Sequence, residues 1–104
     1  MKAVITLAAA LALSTASVSA FANAQLAKDK NCTACHAVGT KLIGPSFKDI
    51  AAKYKDDKAA KARLAKKVRE GGTGVWGQVP MPANPQVNPD ESDKLVAWIL
   101  DGAK

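Results

Sequence analysis

The chain has 104 residues, room for one small domain. Its 15 Lys and Arg against 9 Asp and Glu give a formal charge of +6. With only two cysteines and 5% aromatics it is neither a disulfide-rich scaffold nor a domain with a broad aromatic core, and no basic stretch interleaves with aromatics, which argues against nucleic acid as a partner.

The first segment does not look like part of a domain. Lys2 precedes an apolar run, AVITLAAALAL (3–13), and then small and hydroxyl residues, STASVSAFANA. A positive start, an apolar stretch and a small-x-small exit describe a secretory leader. Cleavage is expected after Ala22, with Ala20 and Ala24 as the other exits, so 1–22 is the leader and 23–104 the domain. The apolar run is short and Ser/Thr-diluted beside the ~20 residues of a membrane span, so no stable membrane insertion is expected after cleavage. Loss of Lys2 leaves 14 basic residues against 9 acidic, a formal +5. Export would place the chain in an oxidising compartment, expected to be the periplasm.

Residues 24–35, AQLAKDKNCTAC, read as a short helix, and HAVGTKLIGPS after it as a loop with Gly39, Gly44 and Pro45. Phe47, Ile50, Ala51 and Tyr54 recur at helical spacing, and Ala60, Leu64 and Val68 continue that logic through 57–70 until Gly71-Gly72. Residues 71–88 hold four glycines and three prolines, a stiff loop of a length that is usually functional. The last helix is the best signalled: Asn88 as cap, Pro89 in the first turn and Glu91 three after the cap. Leu95, Trp98 and Ile99 line its inner face, and Gly102 ends it. No stretch alternates with period two, so the fold class is all-α.

The chemistry lies in NCTACH, 31–36, where Cys32, Cys35 and His36 stand together. A structural zinc site takes four ligands, and the chain holds no further Cys or His. A thioredoxin-like pair belongs to a βαβ pattern, which is missing. A disulfide closing so short a ring would stabilise little. The fourth reading is covalent haem attachment: C-x-x-C-H adds two thiols across the haem vinyl groups, and the histidine beside them reaches the iron. Haem also supplies the apolar mass that this core lacks. His36 is the only histidine, so a second histidine ligand from the same chain is excluded. Without Met1, Met81 is the sole methionine, bracketed by Pro80 and Pro82 in the stiff loop. Alone, it is a core gap-filler as readily as a ligand, but in a CxxCH chain it fits the His/Met ligation of cytochromes c.

With NCTACH at 31–36, IGPSFKDIAAKY at 43–54, GVWGQVPMPAN at 74–84 and KLVAWIL at 94–100, the chain resembles a class I cytochrome c of the small bacterial c-551/c-552 type over essentially all of 23–104. The resemblance implies four to five short helices wrapped around one covalently attached haem c, with the N- and C-terminal helices packed together. It implies thioether links at Cys32 and Cys35, and axial iron ligands at His36 and Met81. It further implies a Pro45 carbonyl on His36 Nδ1, a haem propionate bonded by Trp76 with a basic residue near Lys67, and Asn84 orienting the Met81 sulfur. Pro82-Ala83 stands where Pro-Pro is common, so this side of the loop is expected to be less stiff. The function implied is a soluble, monomeric, periplasmic one-electron carrier, not an enzyme. Its partners would be redox proteins of the respiratory chain such as nitrite reductase, a terminal oxidase, a peroxidase or a cytochrome bc complex. Some of Lys28, Lys30, Lys41 and Lys48, near the motif in sequence, are expected to rim the exposed haem edge. The competing reading is a haem enzyme or gas sensor with an open sixth position, for which no distal His or Arg is evident.

Overall fold

The computed structural model describes Ala3 and residues 16–104. Lys2 and most of the apolar run of the expected leader lie outside the described residues. Four α-helices follow in order: α1 (Ala16–Asp29), α2 (Phe47–Tyr54), α3 (Ala60–Glu70) and α4 (Pro89–Leu100), with a single 3-10 turn at Cys32–Ala34. Helix α1 runs through the expected cleavage positions. Among the described residues the only β pairing is an isolated bridge between Gly72 and Met81, so the chain is all-α.

Helix α4 is the hub, with α1, α2 and α3 each packed on it. Its start is fixed locally. Asn88 Oδ1 accepts from Glu91 N at 2.8 Å, and the Glu91 carboxylate accepts from Asn88 N at 3.1 Å, closing a capping box with Pro89 in the first turn. The side chains it turns inward, Leu95, Val96, Trp98 and Ile99, are buried with Phe47, Ala65, Val68 and Ala27 in one cluster. Ala27 is fully buried on α1. With no side chain beyond Cβ there, α1 and α4 approach closely, so the N- and C-terminal helices do pack together. Ser46 caps α2 by accepting from Asp49 N at 3.1 Å, which turns Phe47 into the core at 1% exposure.

Two boundaries differ from the sequence reading. The helix expected over 24–35 is interrupted at Asn31, which adopts φ 65°. Asparagine tolerates the left-handed region better than most residues, and the reversal swings Cys32–Ala34 off the axis of α1 as a separate turn. The helix expected over 57–70 begins at Ala60. Asp57 holds the preceding turn instead: its carboxylate accepts from Ala59 N at 3.0 Å and pairs with Arg63. That pairing draws the Asp57 carboxyl below its ordinary pKa.

Candidate haem pocket

The loop after the CxxCH turn, the 71–88 loop and the inner faces of α2, α3 and α4 enclose a cavity of about 480 Å³, within the ~300–1,000 Å³ of small-ligand sites. Its lining is mostly apolar and includes Phe47, Ile50, Leu64, Val68, Leu95 and Ile99. Cys32, Cys35, His36, Pro45, Lys67, Trp76 and Met81 line it too, so seven of the eight residues singled out from the sequence meet at one cavity. Asn84 does not line it.

The imidazole of His36 is held on three sides. Its Nδ1 lies 2.7 Å from the Pro45 carbonyl oxygen; a carbonyl only accepts, so Nδ1 carries the proton and Nε2 is left as the lone-pair nitrogen. Its ring stacks on Phe47 with centroids 5.4 Å apart at 20°, and Phe47 meets Trp98 edge-on at 5.3 Å. The third side is Gly44, where a Cβ would fall 2.6 Å from His36 Cε1. Sequence reading placed Gly44 in a loop and assigned it no role beyond that; the close approach exists only once the loop folds back on the ring.

Cys32 and Cys35 are unpaired and half-buried. Burial pushes the Cys32 thiol above its ordinary pKa, the opposite of what a nucleophilic or redox-exchange cysteine shows. No three His, Cys, Asp or Glu side chains among the described residues gather as a metal site. The turn bonds Cys35 N and His36 N to the Cys32 carbonyl at 3.2 and 3.0 Å. Motif and turn thus present two free thiols and one oriented imidazole to an apolar hollow. This donor set, with the mostly apolar lining, fits a covalently held haem.

Met81 reaches the same hollow from the stiff loop. Its backbone pairs with Gly72 in both directions, at 3.0 and 2.8 Å, so the two legs of the loop are joined at their base. Gly71, at φ 77°, makes room for this: a Cβ there would lie 2.6 Å from the Met81 carbonyl oxygen. Asn84, expected to orient the Met81 sulfur, sits at the base of the same loop. Its Nδ2 donates to Val68 O at 2.9 Å and to Pro82 O at 3.2 Å. Asn84 thereby ties the loop to the end of α3 through backbone. At the rim, Trp76 is 43% exposed, and the cation over its ring is Lys53, 5.4 Å from the centroid. The stem of Lys67 runs beside Gly72, where a Cβ would lie 3.1 Å from Lys67 Cε. Lys30 bonds the Gln86 carbonyl at 3.0 Å and pairs with Glu91 at 3.1 Å.

The comparisons with known proteins agree with this geometry. The family model described as Cytochrome c matches residues 22–103. Cytochrome c-552 of Nitrosomonas europaea is 53% identical over 79 residues, 76% of this chain and 77% of that protein. Cytochrome c-551 of Allochromatium vinosum is 50% identical over 83% of this chain and 92% of its own length. The crystal structure of wild-type Nitrosomonas europaea cytochrome c552 superposes with a TM-score of 0.72 over 74% of this chain and 95% of that one. A class 1 cytochrome, MtoD of Sideroxydans lithotrophicus ES-1, gives 0.68 at 30% identity, over 85% and 98%. The chain therefore belongs to the cytochrome c family, as a small electron carrier with a covalently bound c-type haem.

Proposed function

We propose that this carrier holds its iron between His36 and Met81 and works outside the cytoplasm after removal of residues 1–22. The observation that carries the ligation is His36 Nε2 left as a lone pair by the Nδ1–Pro45 bond, in the one cavity that Met81 also lines. When bound, the haem supplies a one-electron Fe(II)/Fe(III) couple, and a thioether ligand with an apolar pocket raises its potential. The chain's own part is rigidity. The His36 ring is held by Pro45, Gly44 and Phe47, and the Met81 backbone by its bridge to Gly72, so the two ligands would need to rearrange little between oxidation states. Thioether links at Cys32 and Cys35 keep the group in place, with Trp76 and Lys67 at the rim for the propionates.

Secretion is supported by the pattern of residues 1–24 and by the CxxCH motif, since haem of this type is attached outside the cytoplasm. No helix among the described residues is long and apolar enough to cross a membrane. Redox partners of the respiratory chain would meet the rim of the pocket, where Ile43 and Val79 are 62% and 66% exposed and Lys41 lines the cavity. A small apolar contact among lysines suits brief encounters with acidic partners.

The test is optical. Ferric protein should show the weak far-red charge-transfer band of a methionine sulfur on iron. Met81→Ala should remove that band, lower the reduction potential and open the ferrous iron to carbon monoxide. A wild-type protein that is high-spin and binds carbon monoxide readily would refute the His36/Met81 assignment and favour an open-site enzyme or sensor.

A further inference from the structure

The tip of the 71–88 loop is the least anchored part of the pocket wall. Below it, Gly72 and Met81 are bridged; within it, Gly74 N donates to the Gly77 carbonyl at 3.1 Å. Among the described residues no backbone hydrogen bond joins 73–80 to another element. Gly74 and Gly77 have φ of 93° and 118°, and a Cβ at either would meet no atom within 4 Å, so glycine there answers to backbone conformation and not to packing. Yet this tip carries Trp76, which lines the cavity.

A side chain from another element crosses to it. The Lys53 ammonium, on the last turn of α2, lies 5.4 Å from the centroid of Trp76 and 5.9 Å from that of Tyr54. Both distances fall inside the ~6 Å range of cation–π attraction. Tyr54 and Val75 line a common recess beside α3, so the loop tip lies along the end of α2 where such a clasp acts. We propose that Lys53 is a positioning residue of the haem pocket: its ammonium, held between the rings of Tyr54 and Trp76, clasps the loop tip to α2 and keeps Trp76 over the cavity. The inference rests on the family's haem occupying that cavity, and it does not depend on which atom is the sixth ligand.

The test uses isotope-labelled, reduced holo-protein followed by NMR. In the wild type the Lys53 ε-methylene protons should be shifted upfield by the aromatic faces, and Trp76→Leu should move them toward ordinary lysine positions. Lys53→Gln should speed hydrogen exchange of the Trp76 indole N–H about two- to fivefold, the ratio for a contact of roughly 0.5–1 kcal/mol at 1.4 kcal/mol per tenfold. Lys53→Arg keeps the cation and should keep the wild-type rate. Lys55→Gln removes an equal charge on the neighbouring turn and should also leave it unchanged. The Trp98 indole, bonded to the Lys104 carbonyl at 3.2 Å, serves as the internal reference. Unshifted Lys53 protons, no acceleration in Lys53→Gln, or equal acceleration in Lys55→Gln would overturn the proposal. A paramagnetic reduced spectrum would count against the His36/Met81 ligation, while the exchange ratios would still decide the role of Lys53.

Discussion

Gly44→Ala is the substitution that most sharply tests how His36 is held. The added Cβ would stand 2.6 Å from His36 Cε1, 3.0 Å from Nδ1 and 3.1 Å from Nε2. Ordinary contact begins near 3.4 Å, so the ring must yield by about 0.8 Å at Cε1. Phe47 stacks on it and is itself buried against Trp98, so the ring has little freedom to move away. Overpacking of this kind costs roughly 1–3 kcal/mol, and weakening the Nδ1–Pro45 bond adds about 0.5–1.5 kcal/mol. A loss of about 2–4 kcal/mol is expected, read as a lower denaturation midpoint in guanidinium at unchanged slope, together with a changed reduction potential. Gly39→Ala is the matched control in the same loop. Its Cβ would meet only Lys48 Cδ, at 3.8 Å, so it should be neutral or stabilising by up to ~1 kcal/mol. Equal effects of the two changes, or a Gly44→Ala protein as stable as the wild type, would refute the claim that Gly44 exists to seat the imidazole.

Further outcomes follow from the helix ends. Asn88→Ala removes one half of the α4 capping box and should cost about 0.5–2 kcal/mol in chemical denaturation, with the haem spectrum unchanged. The Glu91 carboxyl is held below its ordinary pKa, first by the Asn88 backbone N–H and then by Lys30. Its contribution is therefore complete above the unfolded carboxylate pKa and fades as pH falls through the lower folded value. Glu91→Gln should be less stable than the wild type near neutrality, and the difference between the two should shrink on acidification below about pH 4. A difference that grew as the pH fell would contradict that sign.

Much of this protein was readable residue by residue, for a common reason. The caps of α4, the core faces of α2 and α3 and the stop at Gly71 are local, set by side chains a few positions apart. Single-copy residues helped equally: one histidine and, after the leader, one methionine confine the ligand question to His36 and Met81 before any folding is considered. The leader pattern and CxxCH support each other because haem of this type is attached outside the cytoplasm.

The tertiary structure decided where the remaining side chains are engaged. Lys30, near the motif in sequence, bonds across to Gln86 and Glu91. Asn84 reaches the carbonyls of Val68 and Pro82, because the end of α3 returns beside the loop. Lys53 lies over an indole 23 positions away, and Gly44 presses on an imidazole eight positions before it. Propensity and spacing report what a residue does to its own segment. Which lysine is held, which amide is satisfied and which glycine has no room for a methyl depend on approaches across space, and these exist only when three helices and two loops close around one pocket.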